Sequence, residues 1–395
     1  MIWRCISSSL LLLNAVLGGL HAGEAGASEK LRFIRVTNGG IQPQAAMDEK
    51  GTIHLVYFSG DPMQGDLFYV TSTDDGATFS QPRRVNSQPG SAIAAGTIRG
   101  GQIAIGKNGR IHVAWNGSNI AKPEGPLNPE AGERGAPMLY ARLDETGNAF
   151  EPQRNLMQHS FGLDGGGSVA ADHDGNVYVA WHGKRKDAVK GEAGRQVWIA
   201  RSDDDGKTFG PEAAAWNQAT GACGCCGLAI FASRSGWVYS LYRSATEQTH
   251  RDIYLLASTD KGRTFTGELL HKWDINACPM SSMAFAEAGN SAFGAWETGG
   301  QVYFGKLGGI GESFNPIEAP GSANGRKHPR IAANSGETLL VWTEGTGWRR
   351  GGSLAWQVFD KDGKPAQIAG QRAGVPAWSF AATVPDHDGG FIVLY

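Results

Sequence analysis

Cysteine is scarce in this chain, with five among 395 residues. So few cannot staple a small disulfide-dense domain, and a chain of this length does not need them to bury a core. Long apolar runs are missing beyond the first two dozen residues, which excludes a further helical membrane span. An excess of either charge is missing too. Lys and Arg total 36 against 38 Asp and Glu, so neither nucleic acid nor an anionic membrane is favoured as a partner by long-range attraction. Linkers, charge blocks and low-complexity breaks are also lacking. A length that would ordinarily suggest two or three domains therefore reads as one large repetitive domain over residues 28–395.

What is present begins with a leader. Arg4 precedes the apolar run "LLLLNAVLGGL" and the small residues of "HAGEAGAS", the layout of a cleavable secretory signal over residues 1–27 with the cut between Ala22 and Ala27. No Leu-x-x-Cys lipidation pattern precedes a usable cysteine, so a soluble secreted or periplasmic product is expected. Cys5 leaves with the leader, and Cys223, Cys225, Cys226 and Cys278 remain in a compartment where thiols are oxidised or metallated.

Glycine (57) and tryptophan (12) are plentiful. A pattern of small apolar strand, Gly-containing turn and second strand ending on an aromatic recurs seven times, terminating at Tyr57, Trp115, Trp181, Tyr242, Trp296, Trp342 and Tyr395. The copies are roughly fifty to seventy residues apart, the length of a four-stranded propeller blade with its loops. A second motif is interleaved: "STDDGATF" from Ser72, "SDDDGKTF" from Ser202 and "STDKGRTF" from Ser258, with weaker relatives from Leu143 and Phe359. Within such a tight turn the Asp carboxylate accepts backbone N–H bonds and Gly supplies a positive φ.

This Ser-x-Asp-x-Gly-x-Thr-aromatic pattern is the Asp box, and on it the chain resembles the sialidase (neuraminidase) superfamily over nearly its whole mature length. The resemblance implies an all-β propeller of four-stranded blades, with the boxes in structural turns on the face away from the functional site. Seven blades follow from the repeat count and six from the family. "LRFIRV" at residues 31–36 is expected to return beside the last hairpin and close the ring, which removes exposed sheet edges.

With strands A to D running outward in each blade, the loops entering A and leaving B open on one face. Asn116, His182, Arg243, Glu297 and Glu344 leave strand B there, and Gln42, Arg99, the cysteine trio, Cys278, His328, Arg330 and Trp378 enter strand A. Two chemistries are legible. For a glycan, the sialidase resemblance implies three arginines that grip a substrate carboxylate, for which Arg99, Arg243 and Arg330 are the candidates, with Glu297 and Glu344 as the nearest carboxylates and His182 and Trp378 beside them. The expectation is a glycan-binding or glycoside hydrolase-like propeller with Glu297, Glu344 and Arg243 catalytic. The resemblance implies an Arg-Ile-Pro signature near the first blade, but the chain reads "GGIQPQAA", with Gln42 at that place.

For a metal, Cys223, Cys225, Cys226 and Cys278 converge with His328 or His182, and soft thiolates select copper or zinc. Two disulfides are the alternative; one would fall inside the Cys-x-Cys-Cys window, where strain is expected. A redox-active pair, or an interaction scaffold with structural disulfides, completes the set.

Overall fold

The computed structural model describes residues 30–395 apart from 248, 313, 323 and 324. The leader and Cys5 lie outside the described residues. Seven hairpins of strands A and B form where the repeat places them: Ile41–Met47 with Ile53–Asp61, Gln102–Ile105 with Ile111–Asn116, and Ser168–Ala171 with Val177–Lys184. Ala229–Ala232 with Val238–Arg243, Ala284–Ala288 with Ser291–Thr298, Arg326–Ala333 with Glu337–Glu344, and Ala382–Pro385 with Phe391–Leu394 follow. Blades 1 to 6 each add strands C and D to make four-stranded antiparallel sheets. The fold is a seven-bladed propeller, and the six-blade alternative is excluded.

Blade 7 differs from the expected four strands. Leu31–Ile34 lies beside Phe391–Leu394 as a third, parallel strand, with Leu31 opposite Phe391. The pairing continues outward, since Tyr395 donates to the Ile34 carbonyl and Val36 to that of Tyr395, both at 3.0 Å. Chain start and chain end thus share one sheet, and the ring closes.

Hydrophobic packing is divided in the same way. Seven clusters of buried side chains each fill one interface between neighbouring sheets, from Val56, Leu67 and Trp115 between blades 1 and 2 to Leu55, Tyr57 and Ile392 between blades 7 and 1. The seven strand-B aromatics are all buried in this packing. Period-2 alternation supplies both faces of each sheet, and each face covers its neighbour.

The Ser-x-Asp-x-Gly-x-Thr turns join strands C and D of blades 1, 3 and 4. In all three the Asp carboxylate accepts from the Thr amide and hydroxyl, and the Gly amide donates to the Ser hydroxyl. The glycines have φ of 79°, 70° and 69°. A Cβ on Gly206 would lie 1.9 Å from the Tyr140 hydroxyl of blade 2, so glycine there serves both the turn and the blade interface.

The seven A strands line a central channel of about 1190 Å³, whose wall runs on to the A–B turns at Asp48, Asn108, Asp172 and Ser233. Its wall includes Arg330 but none of the four cysteines. Residues 119–137, between strands B and C of blade 2, carry a short ribbon of Leu127–Asn128 with Glu133–Arg134. Among the described residues no helix is long and apolar enough to cross a membrane.

Burial works against the Asp204 charge, but the hydroxyl and amide of Thr208 and the Ser202 hydroxyl outweigh it and hold this carboxyl at about 2. Its folded pKa lies below the unfolded value of about 3.9, so its stabilisation is present above pH ~4 and lost as pH falls towards 2. We expect Asp204→Ala to melt about 2–4 °C below the parent at pH 7, with the gap narrowing between pH 4 and 2. A pH-independent gap in thermal melts would show that the carboxylate charge is not what stabilises the turn.

Candidate functional site

In blades 1 to 6 the residue following the strand-B aromatic stands at the end of the ring opposite the Asp turns. In blades 2 to 6 these residues are Asn116, His182, Arg243, Glu297 and Thr343, all essentially buried. Glu344 is therefore not the counterpart of Glu297: it stands one residue further along, and the pleat turns it to the other face of its sheet. There it accepts from the Trp342 indole N–H at 2.8 Å, from Arg326 at 3.2 Å and from Gln371 of strand D at 2.9 Å. The expected pair of convergent carboxylates does not form.

Glu297 is committed elsewhere. Its carboxylate accepts from Arg243 at 3.0 Å and from the Gly300 amide at 2.8 Å, with 1 % of the residue exposed. Burial raises its carboxyl above the usual range while Arg243 and Gly300 pull it back. Arg243 also donates to the carbonyls of Arg251 and Glu297, and its guanidinium lies 5.0 Å from the centre of the Trp273 ring. Trp273 thus covers Arg243.

The other arginines are equally engaged. Arg99 donates to the carbonyl and carboxylate of Asp164, both at 2.6 Å, and to the Ala95 carbonyl. Arg330 donates to Ser282 Oγ at 3.0 Å and stacks over Phe380, and burial alone brings it down to about 9. Three arginines open to one carboxylate, as the sialidase resemblance implied, are not assembled. Gln42 ties three entry loops instead, donating to the carbonyls of Ala94 and Trp378 and accepting from the Gly100 amide.

The cysteine loop fills this centre. The Cys223 amide donates to the Arg243 carbonyl at 2.9 Å, Gly224 to Glu192 Oε1 at 2.6 Å, and Gly227 to the Ser281 carbonyl at 3.0 Å, so blades 3, 4 and 5 all hold it. Glycine lets neighbouring loops close upon it: a Cβ on Gly165 would come within 2.4 Å of the Gly224 carbonyl oxygen. The Sγ atoms of Cys223, Cys225 and Cys226 all lie within 4.8 Å of one another, and this is the only group of three or more potential metal-ligand side chains among the described residues. Cys223 and Cys226 are wholly buried and Cys225 partly exposed.

Cys278 does not join them. It is exposed and outside the group, and all four cysteines are free thiols. Burial pushes the Cys226 thiol up, but S–H contacts from Cys223 and Cys225 and the Arg243 charge hold it well below the ordinary thiol value. The Cys226 charge also reaches both candidate histidines. His328 has a partner, with its Nδ1 3.3 Å from Ser282 Oγ, and burial brings it down to about 3. Both ring nitrogens of His182 are buried without a partner, and burial followed by the Arg195 charge brings it down to about 4.

Around the thiols runs an ionic chain that sequence reasoning missed: Arg99 to Asp164 at 2.6 Å, Asp164 to Arg195 at 3.4 Å, Arg195 to Glu192 at 3.4 Å and Glu192 to Arg251 at 2.7 Å. Arg251 reaches Glu192 and not its chain neighbour Asp252. Asp252 instead accepts from the Trp273 amide. The signal for Glu192 was its place in the long loop after His182, on the same face as the cysteines.

No protein-family model and no curated protein sequence matches this chain. Solved structures do match in fold. A Hadza microbial sialidase superimposes with a TM-score of 0.55 at 14 % identity, over 82 % of this chain and 66 % of its own. A Trypanosoma rangeli sialidase gives 0.53 at 12 % identity over 81 % and 56 %. A protein of unknown function from Dyadobacter fermentans gives 0.52 at 16 % identity over 88 % and 98 %. This chain thus spans about two thirds or less of the length of those two sialidases. Its fold is a sialidase-like β-propeller.

Removing Arg243 leaves Glu297 buried and unpaired. Arg243→Ala should cost about 3–5 kcal/mol in urea unfolding, whereas Arg243→Leu with Glu297→Leu should recover most of it. A lone Arg243→Ala without stability loss would return the pair to the list of functional groups.

Proposed function

We propose that the protein binds a soft metal ion, copper(I) or zinc, through Cys223, Cys225 and Cys226. The observation that carries this reading is the convergence of three thiol sulfurs within 4.8 Å inside a loop tied to three blades. Three sulfurs about 2.3 Å from one ion stand roughly 3.8–4.0 Å apart, so the present Cys223–Cys226 and Cys223–Cys225 separations of 3.1 and 3.4 Å need only open slightly. Thiolate softness selects copper(I) or zinc over harder ions. Three sulfurs with no histidine or carboxylate in the same group suit three-coordinate copper(I) better than a closed four-ligand zinc site. Of the two candidate histidines, neither of which lies in the three-sulfur group, His182 is favoured over His328 as an additional ligand because both of its buried ring nitrogens lack a partner. Cys278 has no part. Export behind the 1–27 leader, with residues 28–395 as one domain, brings the site to a compartment where such ions are handled.

A second reading, a carbohydrate ligand at the same mouth, is favoured by one aromatic pair. Trp348 is 60 % exposed and meets Trp378 edge to face at 4.6 Å, an apolar platform of the kind on which a sugar face packs. It makes the protein a glycan binder in a sialidase-like fold, without the catalytic roles expected of Glu297, Glu344 and Arg243. Loss of oligosaccharide binding in Trp348→Ala would support it, and unchanged binding would remove it.

For the metal, the reduced protein is titrated anaerobically with copper(I) against a competing chromogenic chelator, with zinc in parallel. One equivalent should be retained, weakened at least ~100-fold in Cys223→Ser or Cys226→Ser and unchanged in Cys278→Ser. Failure of the reduced protein to retain either ion, or an equal loss in Cys278→Ser, would refute the reading.

A further inference from the structure

The turn that gathers the thiols has a second chemical property. The Cys226 amide donates to the Cys223 carbonyl at 3.3 Å, which makes residues 223–226 a β-turn with cysteines at its first and fourth positions. A β-turn brings those two Cα atoms within about 7 Å, overlapping the 4.4–6.8 Å over which disulfides form. The two sulfurs already stand 3.1 Å apart, and a disulfide needs about 2.05 Å. Closure therefore asks for about 1 Å of side-chain movement. The strain expected of a bridge within this window belongs to adjacent cysteines, and a bridge spanning the turn avoids it.

Burial orders the three thiols. Cys223 and Cys226 are 0 % exposed, and Cys225 is partly exposed with its sulfur 3.4 Å from that of Cys223. A disulfide arriving from solvent meets Cys225 first.

We infer that Cys223, Cys225 and Cys226 form a thiol–disulfide exchange site that accepts a small-molecule or exposed protein disulfide at Cys225 and ends as a Cys223–Cys226 disulfide. Cys225 loses its proton to solvent and attacks one sulfur of the incoming disulfide. That S–S bond breaks, and the far half leaves as a thiolate that takes up a proton. Cys223 then attacks Cys225 Sγ, giving up its own proton and expelling the second half as a thiol. Cys226 attacks Cys223 Sγ, and Cys225 departs with the proton released by Cys226. In sum, one disulfide is reduced to two thiols while Cys223 and Cys226 are oxidised by two electrons. The incoming disulfide is itself the oxidant. The inference rests on the same thiols as the proposed metal site and adds its regulation, since the Cys223–Cys226 bridge removes two of the three sulfurs and releases the ion.

The test uses metal-free, fully reduced protein incubated with glutathione disulfide, quenched by alkylation and mapped by mass spectrometry. A Cys223–Cys226 disulfide should accumulate to one per chain. Cys223→Ser should trap glutathione on Cys225, and Cys225→Ser should slow bridge formation at least tenfold. Protein preloaded with one equivalent of copper(I) should be oxidised more slowly and lose the ion when the bridge closes. Thermal melts of the serine variants check that each is folded. Glutathione on Cys278 alone, with the trio still reduced, would overturn the exchange site. Copper(I) retained after the bridge has formed would overturn the regulation. Neither result touches the metal reading, which stands or falls on the titration of the reduced protein.

Discussion

The parallel pairing of Leu31–Ile34 with Phe391–Leu394 is the constraint on which the rest depends. Each sheet packs its faces against two neighbours, and the seven buried clusters are shared between blades. An open arc would leave two of those faces to water. It would also leave blade 7 as a two-stranded hairpin, which is marginal by itself. Leu31 and Val36 take part in the clusters on either side of blade 7, so one short strand completes both the last sheet and the two interfaces it touches.

Ring closure converts distance along the chain into proximity. The cysteine loop is held by Glu192, Arg243 and Ser281 from three successive blades, and the ionic chain from Arg99 to Arg251 crosses the same sector. The buried Arg243–Glu297 pair supports the loop from below, because the Arg243 carbonyl receives the Cys223 amide. A buried ion pair is a poor source of stability compared with apolar packing. Here its oriented hydrogen bonds serve to place a backbone.

A sialidase-like frame therefore surrounds a differently built centre. Where the family resemblance called for an arginine, Gln42 joins three entry loops through its amide. The three arginines that looked available are each consumed by carbonyls, carboxylates or aromatic faces. A shared fold supplies the positions from which functional groups can project, and the side chains at those positions decide the chemistry.

The repeat, the seven hairpins with their aromatic ends, and the turns built on Ser, Asp, Gly and Thr can all be read along the chain. So can the entry of three cysteines into the ring at one loop. These features are encoded within a few residues, through period-2 alternation, glycine at positive φ and a carboxylate accepting from its own turn. The three-dimensional arrangement was needed to see that Thr343 and not Glu344 matches Glu297, because a single residue of register reverses the face of a strand. It likewise separated Cys278 from the trio, left His182 and not His328 unpartnered, linked Arg251 to Glu192, and made the closing strand parallel. Those outcomes depend on which groups from different blades arrive at one place with free valences, and that is set by the summed twist and spacing of the whole ring.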